Sequence, residues 1–416
     1  MTINAVISEP KDQPIKNLIF KWFLISIPFS QALTINISFP LKIAEVLLVF
    51  LISFEVTTRG ILKWHLDKTV TWVLFSFVML IIISMIVNIF YSYPYELAQN
   101  VTRLGPVFDT VFKFFYILLA ICSLFITRHL FNADQRNISF FFIGAIASAS
   151  YAWYLFVSGI LKIPVLLLPG MDANSQVYDV GFGDIIRSGT FREGNYMGFY
   201  LLVAGILAVY YKYSKLSIFF FASIITTFST TAIFCSVLFF VICLFHKYKK
   251  HKFKLVASLV FIFATIILLV QVSPGIKTLL YNKVFGSEDT VENSNDIFSK
   301  ADRLNTVLVS MEIVADNPIL GVGPANFGLH FSHYNLGVDF EQDVKKIPNN
   351  IYMEILSECG GVTFLVFVFL LWIIFNYGRK KSYILGAGLL ASFIYFFAFP
   401  TFTMLFIWVF LGIVLS

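Results

Sequence analysis

Charge is what this sequence has least of. Asp, Glu, Lys and Arg supply 13% of its 416 residues, about half the roughly 25% share of a soluble globular domain. That shortage excludes a water-facing surface over most of the chain. Cysteine is scarce as well: Cys122, Cys235, Cys243 and Cys359 all lie in or beside apolar runs. No CxxC pair or Cys/His ligand spacing occurs, so neither a disulfide framework nor a zinc site is expected, and no cofactor. The apolar stretch after the polar, lysine-bearing segment Met1–Lys21 lacks a small-residue cleavage site. It reads as a first helix and not as a removed signal peptide. Internal repeats, low-complexity tracts and a soluble domain at either end are all lacking.

What is abundant is hydrocarbon. Hydrophobic residues make up 58% of the chain, 49 of them Phe, and the mean hydropathy is +0.82. Lipid is the solvent this composition fits. A helix needs about 20 apolar residues to cross a bilayer. Such stretches lie near 18–36, 40–56, 69–90, 107–127, 138–161, 195–211, 216–229, 230–246, 254–272, 350–376, 382–397 and 400–416. The run 216–246 is interrupted at Thr226, Thr227, Ser229, Thr230 and Thr231. It reads either as two short helices meeting in a polar turn or as one tilted helix that would reverse everything after it.

Charge distribution chooses between these. With about twelve spans and the N-terminus inside, the cytoplasmic segments hold Lys11, Lys16, Lys21, Arg59, Lys63, Lys68, Arg128 and Arg136. They also hold Lys212, Lys215, Lys247, Lys249, Lys250, Lys252, Lys254, Arg379, Lys380 and Lys381, which brings the total to 18 of the 30 basic residues. The alternate loops are poor in them, as the positive-inside rule requires. The expected fold is therefore all-α, a polytopic membrane helix bundle forming a single domain over 1–416, with both termini cytoplasmic. Two long non-cytoplasmic loops follow, 162–194 and 273–349. The second carries ten acidic and six basic residues, so no nucleic-acid surface is expected there. Within it, Asp302 as N-cap and Leu304, Val307, Leu308, Met311 and Ala315 at helical spacing predict an amphipathic helix over 302–316. Asn317-Pro318 and Gly321 stop it.

Four constellations bear on chemistry. Arg187-Ser-Gly-Thr-Phe-Arg192-Glu193-Gly-Asn195 runs directly into a membrane helix. A helix N-terminus offers unpaired N–H groups and partial positive charge, and guanidinium groups bind phosphate oxygens bidentately. Together these features make a pyrophosphate cradle. Solvated loop charge is the plainer alternative for Arg192 and Glu193. Asp302-Arg303 repeats the pattern at the start of the loop helix, with capping and a surface ion pair as the alternative. The Gly321-Val-Gly323 turn allows close backbone approach but is not a nucleotide fingerprint. Pro348-Asn349-Asn350-Ile-Tyr352-Met-Glu354-Ile-Leu-Ser-Glu358-Cys-Gly360 opens a membrane helix with two carboxylates on one face. Glu358, about two turns in, is the more telling, with a hydrogen bond to a neighbouring helix as its structural role. Apart from these, His330 and His333 fall in the second loop and could titrate near neutrality. Lys113, inside a span, is expected to snorkel or to pair with Asp109 one turn away.

In order and spacing these elements resemble the O-antigen polymerase and ligase superfamily over about Arg187 to Gly360. Arg187–Asn195 looks like its arginine motif, with Glu193 where polymerase-type members often carry Glu. Thr227-Phe-Ser-Thr-Thr-Ala232 resembles its T-x-S-R-t-A junction, with Thr230 replacing the usual arginine. Arg303 to Phe327 resembles R…d-n-P-x-x-G-x-G-x-x-n-F, and Asn350 to Gly360 resembles H-N-x-y-l-x-x-x-x-E-x-G. The histidine that ligases carry before Asn-x-Tyr is Asn349 here, which cannot act as a base.

The resemblance implies a metal-independent glycosyltransferase, a polysaccharide polymerase of the O-antigen, capsule or exopolysaccharide kind. It would join undecaprenyl-pyrophosphate-linked repeat units at the outer face of a bacterial cytoplasmic membrane. A glycan ligase using the same carrier, and a lipid-linked glycan transporter, are the rival readings. Arg187 and Arg303 are expected to meet the leaving pyrophosphate, and Glu193 to act as base, with Asp302, Glu354, Glu358, His330 and His333 left open. Arg192, Asn195, Asn349, Asn350, Tyr352 and Glu358 are expected to bind substrate. Membrane lipid and lipid-linked oligosaccharides are the implied partners, with a chain-length regulator and a flippase as further candidates.

Overall fold

The computed structural model describes residues 13–36, 40–59, 67–89, 105–171, 177–179, 184–250, 291–334 and 346–416. The expected span 254–272 lies outside them. The described residues form helices α1 (Gln13–Ser26), α2 (Ile43–Arg59), α3 (Lys68–Ile89), α4 (Pro106–Ala133), α5 (Ile138–Leu161), α6 (Gly194–Tyr210), α7 (Ser214–Ser223) and α8 (Thr230–Tyr248). After these come α9 (Val291–Asp316), α10 (Phe327–Tyr334), α11 (Ile351–Lys381), α12 (Tyr383–Tyr395) and α13 (Leu405–Leu415). Two antiparallel two-stranded ribbons, Ile35–Asn36 with Pro40–Leu41 and Val177–Asp179 with Asp184–Ile186, sit in the connections.

Among the described residues, five stretches are long and apolar enough to cross a membrane: Lys68–Ile89, Pro106–Ala133, Gln135–Leu161, Thr230–Tyr248 and Ile351–Lys381. Shorter apolar helices fill the bundle between them. The outward faces match lipid. Trp72, Phe75, Ile218, Phe234, Leu365 and Trp372 are each more than half exposed, an apolar belt that a soluble monomer would not leave in water. In contrast, α6 is apolar all round and is enclosed on every side from Gly194 to Ala208, as such a helix must be. The run 216–246 is two helices. After α7 a short 3-10 turn, Ile224–Thr227, leads to Phe228 in the left-handed region, and Ser229 caps α8 by accepting from the Ala232 N–H at 3.2 Å.

Chain direction alternates so that α4, α6, α8, α11 and α13 begin at the end of the bundle where α3, α5 and α12 finish. This end is the mouth. The Thr190 hydroxyl donates to the Pro28 carbonyl at 2.7 Å, and Asn195 Nδ2 donates to the Ala398 carbonyl at 2.6 Å. Over the mouth sits a small cap with its own core, Val309, Ile313, Val322, Phe327 and Phe331.

The cap corrects the expectations for Asp302 and Arg303. Helix α9 begins at Val291, so Asp302 and Arg303 lie within it and neither stands at a helix N-terminus. The Asp302 carboxylate instead accepts from Lys346 Nζ at 3.0 Å. The face turned to the protein is mixed, with Asn305, Thr306, Val309, Ser310 and Ile313 buried, whereas Leu304, Leu308 and Met311 are exposed together with Arg303 and Glu312.

Helix α11 bends at Gly360, whose φ is 83°. The Ser357 and Glu358 carbonyls released there accept from the N–H groups of Val322 (3.0 Å) and Gly323 (2.8 Å), and Gly361 N–H donates to the Pro318 carbonyl at 2.8 Å. The kink is thus a socket for the Pro318–Asn326 turn. A Cβ on Gly360 would collide with the Ile319 carbonyl, whereas one on Gly105, also at positive φ, meets nothing within 4 Å. Gly360→Ala should therefore cost about 3 kcal/mol, strain plus overpacking. Gly105→Ala should cost about 1 kcal/mol. Thermal unfolding in detergent that ranks the two equally would refute the socket.

Candidate functional site

At the mouth, the loop before α6 turns sharply after Ile186, and Glu193 stands as N-cap of α6 with extended backbone. Its carbonyl accepts from the N–H groups of Tyr196 and Met197, but its side chain makes no capping bond. The carboxylate is therefore held at a helix N-terminus without being consumed there. Arg192 beside it is exposed, and Arg187 is half-buried with its stem against Gly194. Close approach explains that glycine: a Cβ there would stand 2.6 Å from the Thr227 carbonyl and 3.1 Å from Arg187 Cγ.

Arg303 arrives from α9 and Glu354 from α11. The charges of Glu193, Arg192, Glu354 and Arg303 all act on the hydroxyl of Tyr196, which is 6% exposed. Four ionic side chains from three separate elements thus converge on one phenol, with Arg187 on the adjoining wall. Arg303 also acts on the Tyr395 hydroxyl, which lies 2.7 Å from Asn195 Oδ1.

Beneath this cluster lies a buried charge group. Lys113 Nζ stands 2.7 Å from Glu354 Oε1 and 2.5 Å from Glu358 Oε2. Glu354 Oε2 also accepts from the Phe402 N–H at 3.1 Å, and Glu358 Oε2 from the Ala325 N–H at 3.0 Å. The ion pairs of Lys113 thus run across to α11, correcting the expected pairing with Asp109 along α4. Burial is the reason. Two carboxylates four residues apart on one face need a cation in a low-dielectric interior, and Lys113 is placed to serve both.

Several expected substrate ligands are engaged within the protein. Asn195 ties α6 to Ser229, Tyr395 and Ala398. Asn350 caps α11 by accepting from the N–H groups of Tyr352 and Met353. The Tyr352 hydroxyl donates to the Phe393 carbonyl at 2.8 Å. Asn349 is half-buried beside this cap. His330 lies in α10, where burial first and the charge of His333 second push it down to about 4. It therefore stays neutral near pH 7, correcting the expectation of a near-neutral titration; His333 is exposed.

Sequence reasoning missed Tyr196 and the Phe402 N–H. Tyr196 had a signal, three residues after Glu193 and so on the first turn of the same helix. The Phe402 N–H had none, because its role depends on where the 399–404 turn lands.

A bundle with lipid-facing helices and a polar, ionic mouth defines a polytopic membrane protein. Residues 215–368 match the family model described as O-antigen ligase, which supports the resemblance of the chain to the O-antigen polymerase and ligase superfamily. The match begins beyond the Arg187–Asn195 motif. No curated protein matches the chain significantly.

Two outcomes test this geometry. Lys113→Met leaves two buried carboxylates facing each other and should destabilise the protein by about 3–5 kcal/mol. Adding Glu354→Gln and Glu358→Gln should recover much of that loss, and thermal unfolding of the single and triple variants checks both. For His330 the folded protein favours the neutral ring. Its contribution to stability is therefore present above the unfolded value of 6.5 and is lost as pH falls toward about 4. His330→Asn should remove that part of the pH dependence, read from unfolding between those two values.

Proposed function

We propose that the protein is a polysaccharide polymerase joining undecaprenyl-pyrophosphate-linked repeat units at the outer face of the bacterial cytoplasmic membrane. The chain would be one membrane domain of about twelve spans, with both termini cytoplasmic and 162–194 and 273–349 outside. The observation that carries the reading is the grouping of Arg187, Arg192, Glu193 and Arg303 around the N-terminus of α6. Positive charge and helix N–H groups suit a leaving pyrophosphate, and a carboxylate without a capping duty suits a hydroxyl proton.

In this mechanism the acceptor sugar hydroxyl attacks the anomeric carbon of the donor glycan. A carbon–oxygen glycosidic bond forms as the bond from that carbon to the pyrophosphate oxygen breaks. The hydroxyl proton passes to the Glu193 carboxylate, and undecaprenyl pyrophosphate leaves with the electron pair. Arg187 and Arg303 offset the charge developing on it, with Arg192 in support. Asn349 borders the acceptor side, and a chain-length regulator and a flippase are the protein partners this reaction calls for.

One observation favours a second reading. The family description names a ligase, which would transfer a finished glycan to a different acceptor. Against it stands Asn349, where ligases carry histidine. The transport alternative is weaker still, because the buried charges of α4 and α11 are used to anchor two turns.

Purified protein in nanodiscs, given the host's lipid-linked repeat unit, should yield a ladder of products. Arg187→Ala and Arg303→Ala should each lower the rate about 100-fold or more, and Glu193→Gln likewise. Retention of the ladder in both arginine variants would overturn the leaving-group assignment. Transfer only to an added acceptor would establish the ligase, and no turnover by folded protein on authentic substrate would favour transport.

A further inference from the structure

Beside the ionic cluster lies a cavity of about 310 Å³ that the mechanism above does not use. Its walls come from the end of α1 and the turn after it, the start of α2, the first half of α4, Phe191 and the turn before α13. Its polar lining is Lys42, Glu45, Tyr116, Ser30, Thr401 and Thr403, and its apolar lining includes Phe112, Phe191 and Phe406.

The polar groups are arranged and not merely present. Lys42 Nζ pairs with Glu45 Oε1 at 2.8 Å and stands 5.5 Å from the centre of the Tyr116 ring. The charge of Glu45, itself 5% exposed, acts on the Tyr116 hydroxyl. The Thr401 and Thr403 hydroxyls lie 3.0 Å apart. Along α4 the rings of Phe108, Phe112 and Tyr116 follow one another at 4.3 and 6.5 Å between centres. They lead from the exposed Phe108 into the cavity. The walls are pinned as well, since the N–H groups of Gln31 and Ala32 both donate to the Thr190 carbonyl at 3.2 Å.

We infer that this cavity is a sugar-binding subsite, holding a ring of the lipid-linked glycan that adjoins the reacting one. The inference rests on the polymerase reading for its substrate and goes beyond it in assigning a site. A pyranose presents apolar C–H faces and a rim of hydroxyls. Aromatic walls with a few convergent polar groups match both, and the volume is that of a small ligand site. A polyprenyl chain fits badly, because hydrocarbon would desolvate the Lys42–Glu45 pair and offer no hydrogen bond in return. A phosphate fits badly, because Glu45 repels it. Position supports the assignment. Phe191 stands between Arg187 and Arg192 in the chain, and the N–H of Phe402, between Thr401 and Thr403, donates to Glu354. The cavity and the ionic cluster therefore share two walls. Lys42 and Glu45 are the residues that would select which repeat unit is joined.

The test is independent of turnover. Thr403→Cys protein in nanodiscs is labelled with a membrane-impermeant maleimide, with the parent protein as background for the native cysteines. One probe is the repeat-unit oligosaccharide released from the host's lipid-linked pool, and the other is undecaprenyl phosphate alone. The oligosaccharide should slow labelling about fivefold at a few times its dissociation constant, and undecaprenyl phosphate should not. Glu45→Gln and Lys42→Met, added to Thr403→Cys, should abolish the protection, whereas Arg303→Ala should keep it. No protection by the oligosaccharide, equal protection by the lipid alone, or full protection in both charge variants would each overturn the subsite. Transfer only to an added acceptor, or no turnover by folded protein on authentic substrate, would sink the polymerase reading and leave the labelling result to stand or fall by itself.

Discussion

An ammonium group inside a helix bundle must have its charge met, and in this protein Lys113 meets two carboxylates at once. Glu354 and Glu358 lie one helical turn apart on α11 and reach across to α4. Each has a further oxygen contact to offer, and each accepts a backbone N–H from a different turn, Phe402 in one case and Ala325 in the other. One buried charge group therefore holds four pieces of chain: two helices and the two turns that wall the mouth. Pairing within the group limits the desolvation cost, and breaking it would strand charge in a medium that solvates charge poorly.

The rest of the mouth depends on that anchor. With the Pro318–Asn326 turn seated in the α11 kink, α9 is drawn over the bundle, and Arg303 comes within electrostatic reach of Tyr196 and Tyr395. With the turn before α13 tied to Glu354, the cavity beside Phe191 acquires its threonine wall. The arginine-rich loop is fixed separately, through Thr190 to Pro28 and Ser148, and through Asn195 to α8 and α12. Two independent tethers thus bring opposite sides of the site together. The side chains proposed to meet the substrate are left at the surface of this framework. The Glu193 side chain makes no capping bond, and Arg192 and Arg303 are exposed. Groups that are to meet a substrate's charge are most useful when the fold has not already neutralised them.

Much of the architecture was legible in the chain. Apolar length located the five long apolar stretches among the described residues, because hydrocarbon thickness sets a minimum that few soluble segments reach. The polar run Thr226–Thr231 marked the break between α7 and α8, because a capping serine and a left-handed residue end one helix and start the next. Glu193 beside a helix start, and the proximity of Glu354 to Glu358, were local facts of spacing.

Sequence by itself therefore determined the apolar helices and most of their ends, since these follow from local composition and periodicity; the start of α9, eleven residues before Asp302, is the exception. Only the tertiary structure decided the pairings. Lys113 had Asp109 one turn away as an equally good local partner, and the choice of α11 followed from which helix packs beside α4. For α9 the sequence predicted an amphipathic helix but not which face it turns to the protein, which the burial of Asn305, Val309, Ser310 and Ile313 decided. Asn195, Asn350 and Tyr352 looked available for substrate until neighbouring carbonyls and amides were seen to occupy them. The physical reason is common to all three cases. Helix formation is governed by neighbours in sequence, whereas the partners that engage Lys113 and Asn195 come from helices 245 and 200 positions away.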